Sequence, residues 1–281
     1  MSSAAPSTER QVFEKQVIGL PPLRQYVRDA WARREFATEL SRTKLHSQHF
    51  DTAFGQLWLV LNPLLLAAVY FVLVDILRSG AHPAGFFGHL VIGIFGYYYI
   101  SGAMRDGVKS VTGGARLILN QSFPRALLPL SSVVTAWKRF VPTFVIYLPI
   151  HVISGRPIDL GLLWAVPVFV IMTVLAAGLT ILGAAVQVYF RDLASFLPYL
   201  LRVFLYASPV LYFADNVPKG YDWLLYANPF GMAIACWGHV WDTGSAPPLE
   251  YVAVAVAWAV GLFVAGTLYF LSRERDFAVR L

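Results

Sequence analysis

The sequence predicts an all-α polytopic membrane protein. Six transmembrane helices follow an N-terminal interfacial amphipathic helix, and extracytoplasmic re-entrant helices lie between spans five and six. Three observations predict this class. Of 281 residues, 57% are hydrophobic and only 14% charged, well away from the half-apolar, quarter-charged make-up of soluble domains, and the mean hydropathy is +0.59. Apolar runs of about 20 residues, the length that crosses a ~30 Å hydrocarbon core, recur along the chain. Lys and Arg crowd into alternate connections.

Residues 1–19 are polar and predict a disordered tip with no cleavable signal. Residues 20–50 form the expected cytoplasmic interfacial helix and connector. Pro21-Pro22 suits a first helical turn. Leu23, Tyr26, Val27, Ala30 and Trp31 then recur at helical spacing, with Arg24, Arg28, Arg33 and Arg34 off the stripe. A basic helix with aromatics on its apolar face lies in a membrane interface; the alternative is a helix packed on a soluble partner.

The transmembrane domain, residues 51–281, carries expected spans at 57–77, 86–105, 133–153, 162–188, 196–213 and 251–271. A further apolar stretch, 223–241, is broken by Asn228-Pro229. Six spans put 16 of the 22 basic residues on the side of both termini, against three, Arg78, Arg156 and Lys219, on the other. Seven spans would place the basic tail outside. The 223–241 stretch therefore reads as a re-entrant or surface-lying pair of short helices. Backbone of that kind persists at lipid depth only when packed in protein or lining a cavity. The net charge of +6 follows from this topology and calls for no nucleic acid.

Catalytic signatures are missing. There is no HExxH, GxSxG or Asp-x-Asp pattern, and the dipeptide Gly-Lys that closes a phosphate-cradling loop never occurs. A single cysteine, Cys236, excludes an intramolecular disulfide or multi-thiolate metal site. His46 and His49 lack further ligands. The spans are nearly free of acids, Asp75 lying close to the outer end of the first, which argues against an ion-coupled carrier. An enzyme is not expected.

Aromatic and basic residues remain. Tyr97, Tyr98 and Tyr99 are 100° apart on a helix, so at most one or two face the same side; they read as an interfacial belt or as pathway lining, with Tyr98 in the candidate set. Trp137, Tyr147, Tyr199 and Tyr206 offer faces on which sugar rings stack. Lys138 and Arg139, inside the third span, either snorkel to headgroups or form a basic spot for an anionic head such as a pyrophosphate. Arg202 in the fifth span is open to the same two readings.

Four ordered blocks carry a resemblance. Gly55-Gln56-Leu57-Trp58 with Leu61-Asn62-Pro63-Leu64 comes first. Phe123-Pro124-Arg125 with Leu128-Pro129-Leu130 is second. Phe190-Arg191-Asp192-Leu193 with Ser208-Pro209-Val210-Leu211-Tyr212 is third, and Asn228-Pro229-Phe230 is fourth. Together they resemble ABC-2-type permeases, and within them the Wzm-like polysaccharide exporters of the O-antigen and teichoic-acid type. The Arg-, Ala- and Val-rich composition is similar to an actinobacterial branch whose implied cargo is lipid-linked galactan. Where the family commonly has an acid about two turns after Asn-Pro, this sequence has Ala235-Cys236-Trp237.

The resemblance implies a half-transporter in a bacterial inner membrane, with both termini cytoplasmic. Two copies of the chain would form the pathway, and two copies of a separate cytoplasmic ATPase would hold ATP and Mg; the chain itself needs no cofactor. The implied cargo is a lipid-linked polysaccharide, and the alternative is a small drug or lipid. The first coupling helix would lie between Val111 and Phe123, with Arg116 and Phe123, and the second from Arg191 to Phe196. Asp192 is placed to cap the helix that starts at Leu193. Trp58, Asn62, Pro63, Pro124, Ser208, Pro209, Asn228 and Pro229 are the structural motif residues.

Overall fold

The computed structural model describes residues 22–48, 55–80, 83, 85–218 and 220–281, and every α or 3-10 element among them is helical. The expected tip at 1–19, Pro21, the connector at 49–54 and Lys219 lie outside the described residues. In chain order the helices are α1 (Leu23–Ala32), α2 (Arg34–Gln48), α3 (Trp58–Leu77), α4 (Phe86–Val108), α5 (Ser110–Gly113), α6 (Ala115–Asn120) and α7 (Leu127–Ile153). There follow α8 (Ala165–Tyr189), α9 (Leu193–Ala207), α10 (Trp223–Ala227), α11 (Gly231–Thr243), α12 (Leu249–Arg273) and α13 (Phe277–Arg280).

Five of these, α3, α4, α7, α8 with the 3-10 turn Leu160–Trp164 before it, and α12 with its continuation, are long and apolar enough to cross a membrane. The fifth expected span is shorter than its apolar run. α9 has 15 residues, about 22 Å of helix against a core of ~30 Å. Ser208 leaves the helical region at φ −94°, ψ 151°, as the residue before a proline tends to do. The third span begins earlier than expected, because the Leu128-Pro129-Leu130 block is already helical. The 223–241 stretch is two helices, α10 and α11, separated at Asn228-Pro229 as its sequence break suggests.

The N-terminal segment is a bent pair rather than one helix. Arg33, at φ −103° and ψ 21°, separates α1 from α2, and its guanidinium donates to the Ser122 carbonyl. α1 buries none of its residues and exposes Leu23, Val27 and Trp31. α2 packs on α7 through Ala37 and Ser41, both buried.

α4 is the central helix. It buries nearly its whole circumference, whereas α3 presents Leu65, Val69, Val72 and Ile76 outward. Against α4 pack α7, α8 and α11. Their rings form a continuous aromatic core: Tyr99, Phe140, Phe169 and Trp237 contact one another at centroid distances of 4.8–6.0 Å. Trp237 also donates to the Ile92 carbonyl at 3.2 Å. α8 and α12 meet where glycines allow close backbone approach. A β-carbon on Gly178 would lie 2.5 Å from the Phe263 nitrogen, and one on Gly266 would lie 2.8 Å from the Gly178 oxygen. Such small-residue seams are how helices associate when lipid is as apolar as their own side chains.

Candidate functional site

Two adjoining cavities open between α3, α4, α7 and α9. The first, about 290 Å³, is lined by Trp58, Asn62 and Pro63 of α3, by Tyr98, Arg105 and Asp106 of α4, and by Arg139 of α7. Pro63 has no N–H and so removes the helical donor of the Leu59 carbonyl, which borders this same space. The second, about 390 Å³, lies between Tyr70, Tyr98 and Arg105 on one side and Pro198, Leu201 and Arg202 of α9 on the other. Tyr98 and Arg105 border both.

Charge is arranged unevenly here. Asp106 Oδ2 receives Arg139 at 2.9 Å and Lys44 of α2 at 3.5 Å. Burial pulls the Lys44 ammonium below its usual range, Asp106 opposing the shift and Arg139 adding to it. One carboxylate thus serves two cations and ties the N-terminal segment to the bundle. Lys138 is turned away from both cavities and donates from Nζ to the Thr38 carbonyl at 3.2 Å, so it anchors α2.

The other pathway candidates divide. Tyr206 lines neither cavity, but its hydroxyl lies 3.3 Å from that of Tyr70, which lines the second. Of the three consecutive tyrosines Tyr98 lines both cavities, whereas Tyr99 borders only the first and Tyr97 only the second. Tyr97 is buried with its hydroxyl on the Leu201 carbonyl, and Tyr99 is buried against Thr173. Trp137 and Tyr199 are half exposed or more and border neither cavity. Tyr147 is fully buried, its hydroxyl 3.1 Å from His151 Nδ1 and its ring against Trp241, so within the chain it packs the core.

The expected coupling residues gather at one end of the bundle. Arg116, Arg191 and Asp192 are exposed there, and Phe123 rests on Phe36 of α2 at 4.9 Å. Arg191 donates to the Arg280 carbonyl at 3.2 Å. Pro124 borders a cleft of about 350 Å³ with Tyr26, Arg125 and Glu274. In it Glu274 Oε1 accepts from the Arg125 amide at 2.7 Å and from the Tyr26 hydroxyl at 3.0 Å, and burial, reinforced by Glu274, raises the Tyr26 hydroxyl above its usual range.

One expectation is corrected. Asp192 makes no side-chain cap at the start of α9. It already adopts helical dihedrals, φ −72° and ψ −15°, whereas a capping side chain needs the extended region. The cap comes from Gln187 of α8 instead: its Oε1 accepts from the Ala194 amide and its Nε2 donates to the Arg191 carbonyl, both at 2.8 Å. The Asp192 carboxylate is left on the surface.

Sequence reasoning missed a polar network at the opposite end. Asp242 of α11 forms an ion pair with Arg156, its Oδ1 3.2 Å from the guanidinium, and lies 2.6 Å from His89 Nδ1 through Oδ2. His89 Nε2 is 3.2 Å from the Tyr212 carbonyl, and Arg156 also donates to the carbonyls of Asp242 and Gly85 at 3.1 and 3.0 Å. Gly85 has φ 71°, and a β-carbon there would strike Arg156. These residues come from α4, α11 and two loops, so no local spacing announces them.

No protein-family model matches the chain. Over 242 residues it is 25% identical to the O-antigen export system permease protein RfbA of Klebsiella pneumoniae, covering 85% of this chain and 92% of that protein. A protein of the same name from Myxococcus xanthus is 26% identical over 259 residues, covering 90% and 97%. The motif-borne resemblance to Wzm-like ABC-2 permeases therefore extends over most of the chain. Together with the five long apolar helices it marks a multi-pass α-helical membrane protein.

Proposed function

We propose that the chain is the membrane-spanning permease subunit of an ATP-driven exporter that carries a lipid-linked polysaccharide, a galactan or an O-antigen-like polymer, out of the cytoplasm across the bacterial inner membrane. The observation that carries the reading is the end-to-end similarity to O-antigen export permeases, in a chain whose Trp58, Asn62 and Pro63 motif residues border a cavity that is both aromatic and basic.

In this reading α9 with the segment after it completes the sixth crossing, and both termini are cytoplasmic. α10 and α11 form an extracytoplasmic re-entrant hairpin, and α1 lies in the cytoplasmic interface. Two copies enclose the pathway. A separate ATPase, two copies per transporter, holds ATP and Mg and docks on the end that carries α5, α6, Arg191 and Asp192. Tyr98, Tyr206, Arg139 and Arg202 serve the substrate path; Trp137 and Tyr199, on the outer surface of one copy, serve it only where the second copy covers them.

Purification of the tagged chain from its native membranes tests this. The expected result is a stoichiometric ATPase whose hydrolysis rises with lipid-linked polysaccharide. An ATPase indifferent to the polymer would favour a drug or lipid exporter, and recovery of the chain alone would refute the permease reading.

A further inference from the structure

Both ring nitrogens of the buried His89 face hydrogen-bond acceptors. Nδ1 lies 2.6 Å from Asp242 Oδ2, and Nε2 lies 3.2 Å from the Tyr212 carbonyl. A neutral imidazole carries one N–H and an imidazolium carries two, so a neutral ring leaves one acceptor facing a lone pair. Asp242 does not supply the missing hydrogen as an acid, because its Oδ1 is ion-paired with Arg156 at 3.2 Å and the pair calls for a carboxylate. His151, equally buried, provides the contrast. Its Nδ1 is 3.1 Å from the Tyr147 hydroxyl and its Nε2 is 3.1 Å from the Pro157 carbonyl. A hydroxyl can donate, so there the neutral ring satisfies both neighbours.

The His89 joint ties together separate parts of the chain. His89 is in the first turn of α4, Asp242 is near the end of α11, Arg156 lies between α7 and α8, and Tyr212 follows α9. The Phe213 ring sits 4.2 Å from the His89 ring and 5.9 Å from the Arg156 guanidinium. Asp215, His239 of α11 and Tyr251 of α12 share a cavity of about 70 Å³ with His89 and Asp242. Asp215 accepts from the Tyr251 hydroxyl at 3.2 Å, and His239 Nε2 is 3.4 Å from the Ser245 hydroxyl, so each has a partner of its own. The His89 and Asp242 side chains are only 3% and 9% exposed. An acceptor left bare in such a place is costly.

We propose that His89 is a proton-operated clasp. As the imidazolium it holds the Tyr212–Phe213 segment on α4 and α11, and loss of one proton frees that segment. The joint is tight while the ring is doubly protonated, and its contribution to stability is lost as pH rises. The freed segment belongs to the sixth crossing, so the clasp sets how readily the outer end of the pathway opens. That consequence, and the compartment whose pH is read, rest on the proposed topology and export function; the proton count rests on the geometry.

The test uses the full-length protein in phosphatidylcholine nanodiscs at about pH 5.5 and about pH 8, either side of the range in which imidazole changes charge. A nitroxide on Asn216→Cys, exposed just beyond the clasped segment, reports its mobility, and the buried Cys236 stays unlabelled. The label should be held at acidic pH and become mobile at alkaline pH, with a fall of about 2–4 °C in melting temperature. His89→Gln, uncharged throughout, should lose the pH dependence of the label. His151→Gln and His239→Gln should keep it.

Equal mobility of the label at both pH values in the parent would overturn the proposal, and this reading needs no variant to fold. So would a pH response that survives His89→Gln, or one abolished by His239→Gln, which would move the switch to another ring. A label that responds to pH through His89 in a protein that recruits no ATPase would leave the clasp standing while the export reading fell. An unresponsive label in a protein that recovers its ATPase would fell the clasp alone.

Discussion

Asn228 donates from Nδ2 to Ser208 Oγ at 2.9 Å, while its Oδ1 accepts from the Phe230 amide at 3.0 Å. Ser208 Oγ in turn donates to the Phe204 carbonyl at 2.7 Å. Two sequence motifs, Ser-Pro at the end of α9 and Asn-Pro between α10 and α11, are thus one joint. Each proline ends a helix, and the neighbouring polar side chain satisfies backbone that the break has exposed. Both side chains are buried, so the bonds have no water to replace them.

Asn228→Ala should therefore destabilise the protein by about 1–3 kcal/mol, the cost of leaving buried polar groups unpaired. Ser208→Ala should cost less, since Asn228 keeps its bond to Phe230. Thermal unfolding in detergent checks both, and equal, negligible losses would contradict the joint.

Asp242 holds Arg156 and His89 at the far end of α4. Asp242→Asn should cost about 3–5 kcal/mol, because it leaves a largely buried guanidinium unpaired. Replacing the pair together, Arg156→Met with Asp242→Leu, should recover much of that loss. A double variant no better than the single one would show that the other bonds of Arg156 dominate.

The start of α9 separates stability from coupling. Gln187→Ala removes the side chain that caps Ala194 and should cost about 1 kcal/mol in melting experiments. Asp192→Ala should leave stability unchanged, since its carboxylate makes no cap. If Asp192 meets the ATPase, the same substitution lowers coupled hydrolysis or assembly; unaltered coupling would remove it from that surface.

Orientation is testable by thiol labelling, because the native Cys236 is fully buried and should stay silent. Val279→Cys, at an exposed position near the C-terminus, should react only from the cytoplasmic side. Leu160→Cys, exposed before α8, should react from outside intact cells. Labelling of both from the same side would break the six-crossing topology.

Much of this was legible in sequence, for identifiable reasons. Length and apolarity located the long helices, and Asn228-Pro229 announced the split between α10 and α11. The 100° step of a helix anticipated that Tyr97, Tyr98 and Tyr99 could not act alike. Burial faces were harder to read. In a membrane helix both lipid and protein neighbours are apolar, so nothing in the local pattern separates Tyr147, packed on Trp241, from Tyr206, half exposed with its hydroxyl on Tyr70. Long-range pairing was invisible for another reason. His89 meets Asp242, and Lys138 meets Thr38, only because the bundle folds back on itself. The short α9 and the Gln187 cap reflect competition that spacing does not weigh: Asp192 entered the helix and lost its capping geometry, and a side chain from the preceding helix took the role.

The central claim is that this chain carries a lipid-linked polymer outward, and its depletion in living cells tests that most directly. The quantity to measure is lipid-linked polysaccharide on the cytoplasmic face, read in inverted membrane vesicles alongside polymer at the cell surface. Polymer should accumulate inside and disappear from the surface within a few generations, and the parent chain should restore export. Surface polymer persisting at its normal level after depletion, with none trapped inside, would contradict it.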